Sequence, residues 1–286
     1  MIEYILYNPT SNNGGASESI KELLPILKNV KQLNVLEGIN YPEFFSSLEA
    51  EDTITLVGGD GTLNHFVNDI QDIAIKNAIY YYPTGTGNDF YNDIYDLAAH
   101  HNQRERVLIN DYIKDLPIAT VNGKDYRFVN NVGYGLDGYC CEEGDRQRAA
   151  SKEKISYTKI AIGGLMGKYH PSNATVTIDG ETTKYQGVWL APTMNGRFYG
   201  GGMMMAPMQD RLNKEHCVTA CVVFNATKFK ILTVFPSIFK GTHVKHSEIY
   251  YYKQGHNITV TFDRPCALQI DGETFLNVTT YSVRTK

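Results

Sequence analysis

The sequence predicts an N-terminal three-layer α/β domain followed by a C-terminal β-sandwich domain. Three observations carry this. The first third alternates apolar strands with helical stretches. Two glycine-rich runs, Gly58-Gly59-Asp60-Gly61-Thr62 and Thr84-Gly85-Thr86-Gly87-Asn88-Asp89-Phe90, each sit where a strand hands over to a helix. Beyond about residue 115 the rhythm changes to short strands and tight turns. Strand–helix alternation implies a mostly parallel sheet covered by helices, whereas short strands between turn signals imply a sandwich. The domains are expected at 1–117 and 118–286, with the C-terminal tail returning to the first.

In order, Tyr4–Tyr7 reads as a strand, Asn8–Gly15 as a polar loop and Ser17–Leu27 as a helix. Lys31–Leu36 reads as a strand and Tyr41–Leu48 as a short helix. Thr53–Val57 is the strand before the first glycine turn, with its helix beginning near Leu63. Ala78–Tyr82, closed by Pro83, is the strand before the second turn, with a helix from near Asn88. Asn122-Gly123 marks a hairpin between Ile118–Val121 and Tyr126–Val132, and Asp179-Gly180 marks another inside Ala174–Tyr185. A charged helical stretch is expected over Glu142–Met166. Val218–Phe224, Ile249–Tyr252, Ile258–Phe262 and Ala267–Ile270 read as separate short strands.

Composition narrows the function. A net charge of −4 on 286 residues argues against general nucleic-acid binding. Five cysteines, two of them adjacent, suggest neither a disulfide framework nor a metal ribbon, so buried thiols in a reducing cytosol are expected. Residues 1–7 read as a strand without a basic leader, and no apolar run reaches the roughly 20 residues of a membrane span. A cytoplasmic location is expected.

Two glycine turns at the carboxyl ends of neighbouring strands form a crevice whose backbone N–H groups can cradle phosphate. Glycine permits close approach and positive φ, and Thr62 can cap the helix that follows. Asp60 is unwelcome beside bare phosphate, so it points to Mg²⁺ held between carboxylate and phosphates. The plainer reading is a tight turn with an exposed Asp. Gly85, Thr86 and Asn88 offer the same cradle, or an ordinary capped turn. Asp271-Gly272-Glu273 offers a carboxylate for general-base work, yet Asp179-Gly180-Glu181 is the same tripeptide, and a hairpin turn is the plainer reading of both. Gly200–Met205 reads as a flexible loop lining an apolar cleft, or as a bulged strand with methionines turned inward. Phe229–Phe239, flanked by Lys228, Lys230 and Lys240, has the make-up of a membrane-facing segment, though core packing is the plainer account.

Taken together these runs resemble the bacterial soluble diacylglycerol kinase and related lipid kinase family, whose catalytic domain is shared with sphingosine kinases. The matching segments are Asn8-Pro9-Thr10-Ser11, Gly58–Asn64, Gly85–Phe90, Phe128–Gly133, Tyr199–Met203, Ala206-Pro207 and Asp271-Gly272-Glu273. The resemblance implies an NAD kinase/diacylglycerol kinase-like fold with the active site between its two domains. It also implies ATP, Mg²⁺ and transfer of the γ-phosphoryl group to a lipid hydroxyl. By position it places Asn8, Pro9, Thr10, Gly58, Gly59, Asp60, Gly61, Thr62, Asn64, Gly85, Thr86 and Asn88 at the nucleotide. It makes Glu273 the general base, with Asp271 beside it, and thereby chooses between the two Asp-Gly-Glu triplets.

Asp60, Asp271 and Asn213 are the expected metal ligands, Asn213 standing where many members carry the Asp of a structural Mg²⁺ site. Two further departures are a loop after Pro9 without lysine and an end soon after Tyr281–Lys286, where relatives continue for another short strand. The expected partner is a lipid substrate met peripherally at the membrane surface, through transient association. No nucleic acid is expected, and an edge strand is open to pairing in a homodimer. An NAD kinase-like phosphotransferase and a nucleotide-binding regulatory protein without catalysis are the alternatives.

Overall fold

Two units, Met1–Lys114 and Asp115–Lys286, each enclose their own hydrophobic core. The computed structural model describes residues 1–11, 15–71, 73–85, 87–150 and 155–286.

The first unit runs β1 (Glu3–Tyr7), α1 (Ala16–Leu23), β2 (Val30–Asn34), α2 (Tyr41–Ser46), β3 (Thr53–Gly58), α3 (Asp60–Asp69), β4 (Ala78–Pro83), α4 (Asp89–Ile94), β5 (Val107–Leu108) and α5 (Asn110–Ile113). Its sheet has the order β2-β1-β3-β4-β5, parallel except for β5 at the edge. Alternation along the strands turns Ile5, Val57 and Tyr82 toward Ile20 and Leu23 of α1. The opposite face turns Tyr4 toward Phe44 of α2 and Tyr81 toward Phe90 of α4, ring to ring at 5.2 and 5.7 Å. Helices thus cover both faces, which gives the three layers.

The second unit runs β6 (Ile118–Val121), β7 (Lys124–Arg127), β8 (Asn131–Tyr134), α6 (Leu136–Ala150), α7 (Tyr157–Gly163), β9 (Ser172–Ile178), β10 (Glu181–Val188), β11 (Thr193–Met194), β12 (Val218–Val223), α8 (Lys228–Val234), β13 (Tyr250–Gly255), β14 (Asn257–Ile270) and β15 (Glu273–Arg284). All its strand pairs are antiparallel, in the order β13-β12-β11-β8-β14-β15-β6-β7, with the β9–β10 hairpin joined to β14.

The two strands expected at Ile258–Phe262 and Ala267–Ile270 are halves of one strand, β14. Its register against β15 breaks between Thr261 and Leu268, a stretch that contains Pro265, which has no N–H to give the ladder. The first half pairs with β9 and the second with β8, so the bulge bends the sheet onto itself. Phe262, Leu268, Val278 and Tyr281 fill the sandwich so formed.

The helical stretch begins at Leu136 rather than Glu142 and divides into α6 and α7. The C-terminal strand is β15. Tyr281–Arg284 pair with Ile118–Val121, which satisfies the backbone of both strands inside the second unit. In the methionine run Met205 is fully buried with Tyr199, Ile238 and Tyr250, Met203 and Met204 are half-buried, and Gly200, Gly201 and Gly202 turn the chain at positive φ.

Candidate active site

Three loops leave the carboxyl ends of neighbouring strands in the first unit: Asn8–Ser11 after β1, Gly58–Gly59 after β3 and Thr84–Asn88 after β4. In an open α/β sheet this edge is where ligands bind. Asn8 Oδ1 accepts hydrogen bonds from the backbone N–H and hydroxyl of Thr10, at 3.0 and 2.7 Å, and so folds its loop. Ser11 Oγ lies 3.2 Å from Thr62 Oγ1 and ties that loop to α3. Pro9 lies between these anchors. Thr86 lies outside the described residues.

The two glycine turns touch. A Cβ on Gly59 would lie 3.1 Å from Gly85 Cα, and one on Gly85 would lie 2.9 Å from Gly59 Cα. A Cβ on Gly58 would lie 2.4 Å from Thr62 Cβ. The expected need for positive φ is not met at these glycines. Asn88 is the residue that adopts it, at φ 51°, and the glycines serve by removing bulk. Gly61 has open space around its Cβ position. Thr84 Oγ1 and Asn88 Oδ1 are buried at this junction and have no hydrogen-bond partner among the described residues.

The helix expected near Leu63 starts three residues earlier. Asp60 is therefore in the first turn of α3 and not in the loop. Its carboxylate reaches across to the next helix: Oδ2 accepts from Asp89 N at 3.0 Å and Oδ1 from Phe90 N at 2.9 Å. The acid caps α4 from outside and locks one glycine turn against the other. Beneath them the buried Tyr81 hydroxyl donates to Gly58 O at 3.0 Å. Burial, with Asp60 and Asp89 close by, raises the pKa of that phenol well above its ordinary value. Asn64 is buried one turn into α3.

In the second unit both Asp-Gly-Glu triplets are two-residue hairpin turns with positive φ at Asp and Gly: 48° and 87° at Asp179-Gly180, 47° and 96° at Asp271-Gly272. Each aspartate clamps backbone. Asp179 accepts from His256 N and Asn257 N, while Asp271 accepts from Val129 N, Asn130 N and Asn131 N at 2.5, 2.7 and 2.9 Å. Local geometry alone thus treats the triplets alike. Glu181 pairs with Lys253, and Glu273 is exposed as the first residue of β15.

Of the expected metal ligands in the second unit, Asn213 and Asp271 both make other bonds. Asn213 closes its own loop: Nδ2 donates to Asp210 O and Cys217 O at 2.6 and 2.9 Å, and Oδ1 accepts from Cys217 N at 2.8 Å. Beside it Arg211 places a guanidinium on Val129 O and Asn130 Oδ1, both at 2.5 Å. An amide spent on its own turn next to a fixed cation does not fit a divalent metal, and Asp271 is spent on three N–H groups. No group of three or more His, Cys, Asp or Glu side chains able to hold a metal occurs among the described residues. Asp60 differs. A single oriented carboxylate beside a glycine cradle fits Mg²⁺, which is commonly held by one or two carboxylates together with phosphates and water.

Arg211 and Asp137 were not expected to matter. Arg211 lies two residues before Asn213. Asp137, in the first turn of α6, is buried against Gly133, where a Cβ would lie 1.9 Å from its Oδ2 and 2.4 Å from Gln269 Nε2. Loss of hydration raises its carboxyl pKa to about 6. Its only sequence signal is the Gly-x-x-x-Asp spacing.

Comparison with known proteins agrees with this architecture. Residues 3–121 match the diacylglycerol kinase catalytic domain, and residues 130–283 match the YegS C-terminal NAD kinase beta sandwich-like domain. A diacylglycerol kinase of Mycobacterium tuberculosis is 23% identical over 253 residues, covering 85% of this chain and 80% of that one. A Staphylococcus aureus protein, named a lipid kinase by conjecture, is 27% identical over 278 residues, covering 91% and 85%. A crystal structure of a diacylglycerol kinase from Bacillus anthracis superposes with a TM-score of 0.62 at 16% identity, covering 99% of this chain and 93% of that one, a likeness of fold alone. The chain belongs to the family that joins a diacylglycerol kinase catalytic domain to a YegS-type, NAD kinase-like β-sandwich.

Proposed function

We propose that the protein is an ATP-dependent lipid kinase that transfers the γ-phosphoryl group to the hydroxyl of diacylglycerol or a related lipid alcohol. The observation that carries this reading is the Asp60 bridge, which holds two abutting glycine turns at the carboxyl edge of the sheet. Phosphates lodge against backbone N–H groups at the start of α3 and against the Asn8–Thr10 loop. Gly59 and Gly85 let the two turns abut, Gly61 leaves open space at the start of α3, and Thr84 Oγ1 and Asn88 offer polar contacts. Asp60 would hold Mg²⁺, which when bound supplies charge neutralisation at the phosphate oxygens. Glu273 takes the proton of the acceptor hydroxyl as its oxygen attacks phosphorus, and Asp271 holds the turn that presents Glu273. The family and the relatives' names support a lipid acceptor.

The test offers radiolabelled ATP and Mg²⁺ with lipid alcohols in detergent. Label in a chloroform-soluble product is the expected result. Label transferred to NAD instead would replace this reading with an NAD kinase-like one. No label in either would leave a nucleotide-binding protein without catalysis.

A further inference from the structure

We infer that the helical end of the second unit is a docking surface for an anionic lipid bilayer. Two helical segments form it. α8 continues without a break into a 3₁₀ segment, Phe235–Lys240, and α7 continues into a single π turn, Gly164–Lys168. Ile231 of α8 packs with Ile160 and Leu165 in one cluster, so the two segments share a buried seam.

Their outward faces are unusual. Phe229 is 76% exposed, Met166 69%, and Ile162 and Phe239 both 43%. Phe229, Thr233, Pro236 and Lys240 recur at helical spacing on the solvent side of one segment. Thr158, Ile162 and Met166 do so on the other. Core packing explains Ile231 and Ile238, which are buried, but it does not explain Phe229. The plainer account of this segment therefore holds for one face only.

Charge selects the occupant. Residues 155–170 and 225–247 contain six of the chain's 27 Lys and Arg and none of its 31 Asp and Glu, although the chain as a whole is at −4. Lys159, Lys240 and Lys245, on or just beyond these two segments, are exposed. The adjoining acid, Glu248, is 2.8 Å from Lys230 and forms an ion pair with it. Exposed apolar side chains on stretches that carry lysine and no carboxylate fit acyl chains beneath anionic headgroups. A second copy of this acidic protein fits less well, because the same lysines would face each other across a two-fold contact. The use of the surface rests on the lipid-kinase reading, but binding to it is measured without nucleotide.

The experiment is co-sedimentation of the full chain with vesicles of phosphatidylcholine, with and without phosphatidylglycerol. The chain should bind the anionic vesicles, and high salt should weaken the binding. Phe229→Ser with Met166→Ser should weaken binding roughly tenfold or more, and Lys240→Glu with Lys245→Glu should remove the preference for phosphatidylglycerol. All four positions are exposed, so both variants should keep the wild-type unfolding midpoint and wild-type turnover of detergent-dispersed acceptor. Unchanged vesicle binding in Phe229→Ser/Met166→Ser overturns the inference. So does a wild-type chain that ignores anionic vesicles, or a wild-type dimer that this variant splits. Loss of turnover in detergent with vesicle binding intact would instead count against the proposed reaction.

Discussion

The carboxylate of Asp60 accepts the backbone N–H of Phe90 at 2.9 Å, across thirty residues of sequence. With the companion bond from Asp89 N it joins α3 to α4, and through them the two glycine turns. An acid expected to meet a metal is therefore also a tertiary helix cap.

This double role sets the first prediction. Asp60→Ala should lose about 1–2 kcal/mol of stability by uncapping α4, and Asp60→Asn less, since one acceptor oxygen remains. Urea unfolding reads the difference. Equal stability of wild type and Asp60→Ala would show that the bridge contributes nothing.

The glycines of the first turn should separate under the same substitution. Gly58→Ala meets Thr62 Cβ at 2.4 Å, and Gly59→Ala meets Gly85 Cα at 3.1 Å. Both should lower stability by roughly 1–3 kcal/mol, the usual range for overpacking. Gly61→Ala meets nothing and lies in a helix, so it should stabilise by about 0.5–1 kcal/mol. Its effect on nucleotide affinity, read by isothermal titration, would then report contact with phosphate without a folding defect.

Glu273→Gln should reduce turnover by roughly 10²–10⁴-fold, the range for removal of a general base. Binding of nucleotide should stay within a factor of two or so of wild type. Glu181→Gln, in the matching hairpin, should leave turnover unaltered because Glu181 is exposed and pairs with Lys253. If the two substitutions behaved alike, neither glutamate would be the base.

Asp271→Ala strips three backbone N–H groups of their acceptor, and a loss of about 2–4 kcal/mol is expected from unsatisfied partners. Arg211→Met should loosen the same Val129–Asn130 segment from the other side. Because the sites share a segment, the double variant should lose less than the two single losses combined, a coupling that a double-mutant cycle measures.

The pH dependence has a definite sign at Asp137. Its folded pKa of about 6 lies above the ordinary carboxyl value of 3.8. Between those values the folded chain binds more protons than the unfolded one, so its contribution to stability falls as pH rises through the window. Above pH 6 the cost of the buried charge is on the order of 3 kcal/mol. Asp137→Asn should therefore gain most over wild type near pH 7 and little near pH 4, as read by urea unfolding at both values. An advantage independent of pH would remove Asp137 as its source.

Much of this was legible in the sequence because the signals are local. Strand alternation, the Asn122-Gly123, Asp179-Gly180 and Asp271-Gly272 turns, and the two glycine runs all act over a few residues. Each of those hairpins forms, with positive φ at both central positions, although the strand read as Tyr126–Val132 is divided between β7 and β8. The readings that changed needed distant partners. Nothing in Ile258–Ile270 says that one strand bends through its bulge to serve both layers, since β8 and β9 decide it from far along the chain. Asn213 could pass for a metal ligand until Cys217 and Asp210 claimed its amide.

By itself the sequence determined the fold class, the family and the composition of the glycine-rich turns, since period, turn chemistry and motif are written residue by residue. Only the tertiary structure decided what each polar group is bonded to. That is why it turned Asp60 into a cap for α4, spent Asp271 and Asn213 on backbone, and left Phe229 facing solvent among lysines. A hydrogen bond or a buried face depends on which distant segment folding brings alongside, and spacing along the chain does not encode that partner.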